Sequence, residues 1–234
     1  MYGGMCTGTY TQSLLRTNFA AAGKYDITCS FVFNESLIQR GRNALVHQFL
    51  KTEASHLMFI DADIGWEPQF IEQMLAADVP VLAGMYPKKE INWSMIEAAV
   101  KAGVPTNQLR YWTGNHVVNL LDGETEAKAE AGKPFPVKYA GTGFMLIQRA
   151  VLEDLEGYVN EYSNDVADLA GNLGQQEKIK EFFSVEVVNE QLLSEDYWFC
   201  DLCHNFGIPI HVAPWVQLTH TGTFQFEGRL PHSA

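Results

Sequence analysis

The chain has 234 residues, of which 47% are hydrophobic and 19% are charged, so it can bury a full core and is not disordered. Its formal net charge of −12 argues against general nucleic-acid binding, which needs a basic face. The cysteines form no secreted disulfide framework, and no apolar run is long enough to span a bilayer. We therefore expect a cytoplasmic protein with no signal peptide and no transmembrane segment.

Strand-like and helix-like stretches alternate along the first part of the chain. The spacing of apolar residues and the stop signals predict helices over 9–22, 37–52 and 68–77. Short apolar runs predict strands over 27–33, 56–60 and 79–83. This order is typical of an α/β domain with a mostly parallel sheet that is covered by helices on both faces.

The alternation is less regular in the second part of the chain. We expect helices over 95–102, after a capping Ser94, over 149–156, and over 194–206, opened by Ser194. Strands are expected over 139–147, 182–188 and 208–212. The segment 124–132 is polar, and the polar, glycine-containing segment 160–176 has the character of a loop or insert.

Two aspartates, Asp61 and Asp63, stand where the apolar strand over 56–60 ends. Residues two apart in a strand point the same way, so both carboxylates can converge on one hard cation. Mg²⁺ and Mn²⁺ prefer such oxygen ligands and bridge readily to phosphates. The alternative is a loop with two solvated acids, but the apolar strand before the pair and Pro68 opening a helix after it favour a metal site.

Several short motifs occur in a fixed order along the chain. They are Asn34-Glu35-Ser36-Leu37, the residues Arg40 to Asn43, the stretch His56 to Trp66, Gly84-Met85-Tyr86-Pro87-Lys88, Gly141-Thr142-Gly143-Phe144, Ser194-Glu195-Asp196 and His220-Thr221-Gly222. In this order they resemble the GT-A glycosyltransferases that carry a DxD motif, and above all the small proteins of that kind in bacteria and large viruses. The resemblance covers nearly the whole chain.

The resemblance implies a single GT-A domain over 1–234, with a nucleotide-binding half over 1–90 and an acceptor-side half, partly antiparallel, over 91–234. It implies a sugar donor carrying a nucleotide diphosphate, UDP by family resemblance, bound at Asp61-Ala62-Asp63 through Mn²⁺ or Mg²⁺. A carbohydrate or glycoconjugate would be the acceptor, with inversion the weakly favoured outcome. It places Tyr2 and Gly3 near the base. Such proteins begin with a strand before that turn, whereas only Met1 precedes Tyr2 here, so base binding is left open.

Cations are needed to hold a diphosphate in so acidic a protein. Arg40 and Asn43 are three residues apart and share a helix face, and an arginine presents forked donors that suit a phosphate. The resemblance places Arg40 beside the donor, whereas a solvated helix face is the alternative, more so for Arg42. Lys88 and Lys89 are the other candidates.

His220 and Gly143 complete the candidate donor site. A neutral imidazole is an acceptable ligand for Mn²⁺, and several GT-A enzymes complete the metal shell with a histidine at this point of the chain. A buried structural histidine is the alternative. Gly143, with Gly141, allows close approach of the backbone to a ligand, although a strand bulge would also explain it.

Glu195 and Asp196 stand at the start of a predicted helix, where acidic residues suit the helix dipole whatever their function. An inverting transferase needs a carboxylate base that takes the proton from the acceptor hydroxyl. The resemblance puts this pair on the acceptor side, with Asp196 slightly favoured. Trp93, Tyr111 and Trp112 are candidates for a sugar-stacking wall or for ordinary core packing.

Three other interpretations stay open. A haloacid-dehalogenase-type phosphatase also places an Asp-x-Asp after an apolar strand, but as the first strand of the domain. A sugar nucleotidyltransferase would need a basic, glycine-rich loop after its first strand, and Tyr2 to Gly8 has no Lys or Arg. A carbohydrate-binding module would need neither the paired acids nor Arg40. Cys200-Asp201-Leu202-Cys203-His204 matches a c-type haem attachment pattern, but two buried core cysteines explain it better.

Overall fold

A computed structural model describes residues 2–124, 130, 132–163 and 177–228. The helices in this part of the chain are α1 (Gly8–Ala21), α2 (Ile38–Leu50), α3 (Pro68–Ala77), α4 (Trp93–Lys101), α5 (Arg149–Leu155) and α6 (Glu195–Asn205), with 3₁₀ turns at Tyr2–Gly4, Thr106–Trp112 and Glu156–Tyr158. None of the helices in the described ranges has the length and apolar content that crossing a membrane requires.

The strands in the same ranges are short. They are β1 (His56–Ile60), β2 (Ile64–Gly65), β3 (Val81–Gly84), β4 (Val118–Asn119), β5 (Phe135–Val137), β6 (Tyr139–Ala140), β7 (Phe144–Gln148), β8 (Glu161–Ser163), β9 (Lys178–Lys180), β10 (Glu186–Val188), β11 (Gln191–Leu193), β12 (Ile210–Ala213) and β13 (Thr219–His220).

The central sheet has five strands in the order β1-β7-β3-β12-β5. Only β3 and β12 pair in parallel, whereas β1 with β7, β7 with β3, and β12 with β5 pair antiparallel. The expectation of an α/β fold is confirmed, but the expectation of a mostly parallel sheet is wrong. Strands β1 and β3, which are connected through α3, are parallel to each other. However, β7 lies between them and pairs antiparallel with both.

Alternate residues of the central strands divide the core into two layers. Val81 and Met145 join one cluster with side chains of α2, α5 and α6. Leu82 and Phe144, their neighbours along β3 and β7, join a second cluster with side chains of α1 and α3. Successive strand residues point to opposite faces, so helices cover both faces of the sheet, as predicted. Each fully buried apolar side chain contributes about 1.5–3 kcal/mol.

Most predicted helices form within two residues of the expected bounds, because caps and breakers mark their ends. Pro68 opens α3 at its first turn, and Asp78 ends it in the left-handed conformation. The cap of α4 is Asn92, whose side chain accepts a hydrogen bond from the Met95 N–H, and not Ser94 as expected. The hydroxyl of Ser194 contacts the Asp196 carboxylate and makes no cap to the backbone.

Several predicted strands are absent, shortened or divided in the described residues. The segment 27–33 is irregular, with Ile27 and Phe33 exposed, because no neighbouring strand pairs with it there. The strand expected over 182–188 covers only Glu186–Val188, although Phe182 and Phe183 are fully buried. The strand expected over 139–147 is divided at Gly141-Thr142-Gly143 into β6 and β7. Residues 125–129, 131 and 164–176 of the predicted polar segments lie outside the described residues.

Candidate functional site

The candidate site lies at one edge of the sheet, where several strands end together. β1, β3 and β12 run in one direction, and β7 begins at that edge because it runs the opposite way. Asp61 therefore follows the end of β1 next to Gly143, which immediately precedes β7. In open α/β sheets, the carboxyl ends of the strands are the usual place for ligands.

Backbone hydrogen bonds hold the Asp61-Ala62-Asp63 loop from three sides. The Asp61 N–H donates to the Gly143 carbonyl at 2.8 Å. The Thr7 N–H donates to the Ala62 carbonyl at 2.9 Å, and the Thr221 N–H donates to the Asp63 carbonyl at 2.9 Å. The first turn of α1 and the β13 segment are thereby fixed beside the two aspartates.

Asp63 lies between a lysine and a histidine side chain. The ammonium of Lys89 contacts Oδ2, and Nε2 of His220 lies 3.4 Å from Oδ1. The hydrogen bond from His220 is the largest influence on this carboxyl, partial burial opposes it, and Lys89 adds to it, so the pKa of Asp63 falls to about 2. Asp63 is therefore an ionised carboxylate at any ordinary pH, which is the state that binds a metal ion.

The other nitrogen of the His220 ring fixes the orientation of this residue. Nδ1 lies 2.8 Å from the Pro87 carbonyl oxygen, which can only accept, so Nδ1 carries the proton. Nε2 then faces the carboxylate of Asp63 either as part of an imidazolium or with a lone pair directed at a cation between them. A ring N–H donated to a backbone carbonyl is the usual support of a metal-ligating histidine.

Asp61 contacts a different cation. Nη2 of Arg42 donates to Oδ1 of Asp61 at 3.2 Å, and Nε of the same guanidinium donates to Oε1 of Glu195 at 3.4 Å. Arg42 is almost fully buried and stacks on the Phe59 ring, with 5.2 Å from Cζ to the ring centroid. This arginine joins α2, the end of β1 and the start of α6 in one network.

The two acids at the start of α6 have different surroundings. Burial raises the pKa of Glu195, the neighbouring Asp196 raises it further, and Arg42 opposes both effects. Oδ1 of Asp196 accepts a hydrogen bond from the Tyr197 N–H at 2.9 Å and contacts the Ser194 hydroxyl. Asp196 is half-buried, whereas the Glu195 side chain is only 14% exposed.

Tyr86 packs against the two glycines before β7. Its hydroxyl oxygen accepts a hydrogen bond from the Gly143 N–H at 3.1 Å, and burial followed by the charge of Asp61 raises its pKa. A Cβ at Gly143 would lie 2.7 Å from that oxygen and 2.9 Å from Oδ2 of Asp61. The hydroxyl of Thr142 is buried without a hydrogen-bond partner in the described structure, as is expected of a group that a ligand or water satisfies.

Two residues that are predicted to bind the sugar donor make hydrogen bonds within the protein instead. Nε and Nη2 of Arg40 donate to the two carboxylate oxygens of Glu35 at 2.7 and 2.9 Å. Asn43 is 1% exposed, and its amide both donates to the carbonyl and accepts from the N–H of Phe183. Asn43 therefore holds the segment after β9 in place. This structural role replaces the predicted contact with the sugar donor.

Gly3 and the three aromatic residues considered for sugar stacking are exposed. Gly3 adopts a left-handed conformation, with φ of 65°, in the 3₁₀ turn that precedes α1. Tyr2 belongs to the same turn. The aromatic residues Trp93, Tyr111 and Trp112 are 66%, 70% and 42% exposed, so they are not core residues. Cys200 and Cys203 are fully buried in the core, as the sequence indicates.

The residues fit a divalent ion that shares its coordination with a ligand. Across the described ranges, no group of three or more His, Cys, Asp and Glu side chains stands ready to hold a metal by itself. Mg²⁺, however, is usually bound by one or two carboxylates together with substrate phosphates. Ligands at right angles around an ion with bonds of about 2.1 Å lie about 3 Å apart. The 3.4 Å between Asp63 and His220 is close to this separation.

No protein-family model and no curated protein sequence matches the chain. Among solved structures, the fold resembles that of protein A197 from STIV. The two chains are 16% identical, the match covers 99% of this chain and 95% of that one, and the TM-score is 0.51. At this level of identity the likeness shows the fold alone.

From the sequence, Arg42 is given too little weight, and Tyr86 is included in a motif without an assigned role. Arg42 is two residues from Arg40, and the helical period did not reveal which arginine faces the sheet edge. The signal for Tyr86 was present in the glycines at 141 and 143, since paired small residues indicate that a bulky side chain or a ligand lies against them.

Proposed function

We propose that this chain is a metal-dependent glycosyltransferase that moves a sugar from a nucleotide diphosphate to a hydroxyl acceptor. The observation that carries the proposal is the pairing of Asp63 with His220, whose Nε2 is directed at the carboxylate by the Nδ1 hydrogen bond to Pro87. The ordered set of motifs that resembles GT-A glycosyltransferases supports the same conclusion.

In this proposal Asp63 and His220 would hold Mn²⁺ or Mg²⁺ directly, and Asp61 would contribute through the ion, a bound water or the ribose of the nucleotide. The bound ion supplies a Lewis acid that neutralises charge on the departing diphosphate. Lys89 then has a second task. Its ammonium contacts Asp63, and in the donor complex it would pair with a phosphate oxygen.

The acid pair at the start of α6 has divided roles. Glu195 is nearly buried and engaged with Arg42, so we assign it the positioning of that guanidinium beside Asp61. Asp196 is more accessible, and its carboxylate is oriented by the Tyr197 N–H and the Ser194 hydroxyl. Asp196 is therefore the candidate base that takes the acceptor proton as the hydroxyl oxygen attacks the anomeric carbon.

A phosphatase that acts through Asp61 is the second candidate. The strand expected before β1 is not formed in the described residues, so β1 comes first among the strands described, as such a phosphatase requires. Against it, the Asp61 carboxylate contacts the nearly buried Arg42, which lowers its availability as a nucleophile. Release of phosphate from an aryl phosphate, lost in Asp61→Asn, would favour this reading.

A thermal-shift panel tests the proposal. We expect UDP or a UDP-sugar to raise the melting temperature in the presence of Mn²⁺ and not in chelator, because a ligand that binds only the native state stabilises it. The double variant Asp61→Ala/Asp63→Ala should lose the shift. The matched control is Asp122→Ala, which removes an exposed aspartate that pairs with Lys138. If no nucleoside diphosphate stabilises the wild-type chain with Mn²⁺, the proposal is wrong.

A further inference from the structure

A groove lined by aromatic side chains adjoins the candidate site. It is a wide, open groove of about 760 Å³. The residues that line it are Ile91, Trp93, Phe224, Gln225, Phe226 and Glu227. Two segments form its walls, the start of α4 and the chain that follows β13.

The aromatic residues of this groove are unusually exposed for their size. Trp93 is 66% exposed, Phe224 49% and Phe226 87%. The two phenylalanine rings contact each other edge to face, with centroids 4.9 Å apart. Aromatic residues that are clustered and exposed in this way mark a place where another molecule binds.

Both walls continue directly from residues of the candidate site. Trp93 is four residues beyond Lys89, and Phe224 is four residues beyond His220. Four extended residues span at most about 14 Å, so the backbone of each wall lies within that distance of Lys89 or His220, the two residues that contact Asp63. The Lys89 side chain also packs against Gly222, where a Cβ would meet its Cδ at 2.9 Å, so the segments that lead into the two walls are in contact beside Asp63.

The chemistry of the lining selects one class of ligand. Glu227 places a carboxylate in the described lining, and its negative charge disfavours phosphates and acidic glycans. A purely apolar ligand would leave Glu227 and Gln225 desolvated without partners. A neutral sugar chain satisfies both requirements, because its C–H faces stack on aromatic rings and its hydroxyls donate to carboxylate and amide oxygens.

We propose that this groove binds the acceptor of the transferase, and that the acceptor is a neutral oligosaccharide. The role of the bound sugar as an acceptor rests on the proposed function. Binding of the sugar chain by the groove does not depend on that function. Trp93 is the stacking residue that contributes most, because an indole presents the largest aromatic face.

Isothermal titration calorimetry with four neutral hexasaccharides (maltohexaose, cellohexaose, chitohexaose and mannohexaose) tests this inference, with hexagalacturonate as the charged comparison. We expect at least one neutral chain to bind and the acidic chain to bind at least tenfold more weakly. Trp93→Ala and Phe226→Ala should each weaken binding about tenfold or more. The matched control is Phe19→Ala, which removes a phenylalanine that is 82% exposed on α1 and should leave the affinity unchanged.

The same variants separate the groove from the metal site. Asp63→Asn should leave oligosaccharide binding intact, and Trp93→Ala should leave the Mn²⁺-dependent shift with UDP intact. The groove assignment is overturned if none of the four neutral chains binds, if hexagalacturonate binds as tightly, or if Phe19→Ala weakens binding as much. It is also overturned if wild-type chains sediment as a dimer that Trp93→Ala dissociates, because the groove would then be an interface between copies.

Discussion

Arg42 and Glu195, which are 153 positions apart in the chain, meet at the sheet edge with Nε of the guanidinium 3.4 Å from Oε1 of the carboxylate. The same guanidinium contacts Asp61. A single buried cation thus links the carboxyl end of β1 to the amino end of α6. Loss of the cation would leave two carboxylates at this edge without their partner.

Arg42→Met is expected to lower the free energy of unfolding by about 3 kcal/mol, the lower end for removing one member of a buried pair, because Asp61 is partly exposed. Urea denaturation measures the change. The matched control is Arg16→Met, which breaks an exposed bidentate pair with Glu67 and should cost less than about 1 kcal/mol. Equal losses in both variants would contradict the structural role assigned to Arg42.

Gly143→Ala is expected to reduce stability by about 1–3 kcal/mol and to abolish the metal-dependent shift with UDP. The added Cβ would lie 2.7 Å from the Tyr86 hydroxyl oxygen and 2.9 Å from Asp61, so one of the two must move. Gly157→Ala is the control, because no atom lies within 4 Å of the corresponding Cβ. A Gly143→Ala protein that keeps its stability and its shift with UDP would refute the close packing of Tyr86 on this backbone.

The contributions of Glu195 and Glu35 to the free energy of unfolding should change with pH in opposite directions. Burial raises the pKa of Glu195 above its ordinary value of 4.5, so folding favours the protonated form of this side chain. The stability that this preference contributes is fully present below pH 4.5 and is lost as the pH rises through the raised pKa. Glu195→Gln should therefore gain stability relative to wild type as the pH rises above 4.5. Urea denaturation across that range provides the measurement.

Glu35 gives the comparison for that experiment. Burial would raise the pKa of Glu35, but hydrogen bonds from Arg40 and the Leu37 N–H outweigh it and lower the pKa below 4.5. Its contribution is present above 4.5 and is lost as pH falls through the lowered value. Glu35→Gln should thus lose most stability near neutral pH, with a smaller loss below 4.5. The same pH trend in both variants would contradict the two environments described for these carboxyls.

Two of the cysteines are expected to react with a thiol reagent in the native protein and two only after unfolding. Cys6 and Cys29 are exposed, whereas Cys200 and Cys203 are buried. Burial raises the pKa of the Cys200 thiol to about 12, so its reactive thiolate form is scarce as well as inaccessible. Titration with Ellman's reagent, with and without denaturant, counts the thiols. Four fast-reacting thiols in native protein would show that α6 does not pack as described.

The sequence predicts local structure better than it predicts the sheet. Helices α1 to α6 form within two residues of their predicted bounds, because breakers or caps such as Gly23 and Pro68 mark several of their ends. Strand direction depends on pairing across the chain, which no local pattern records. The insertion of β7 between β1 and β3 therefore made the expectation of a mostly parallel sheet wrong.

At the candidate site, too, the sequence predicts some residues correctly and others incorrectly. The pairing of Asp63 with His220 brings together two residues that the sequence singled out. Asn43 was misjudged because helical spacing identifies the face that a residue shares and not what lies opposite that face. Its side-chain amide makes hydrogen bonds to the backbone of Phe183, which is 140 positions away in the chain. Arg42 was ranked below Arg40 for the same reason.

Electron paramagnetic resonance of Mn²⁺ tests the central claim most directly, because it counts bound ions without requiring the correct sugar. With UDP present, we expect one ion per wild-type chain, with affinity reduced about 10- to 100-fold in His220→Ala and in Asp63→Ala. Asp122→Ala should bind the ion as the wild type does. Equal binding of Mn²⁺ by wild type, His220→Ala and Asp63→Ala would contradict the metal site and the function built on it.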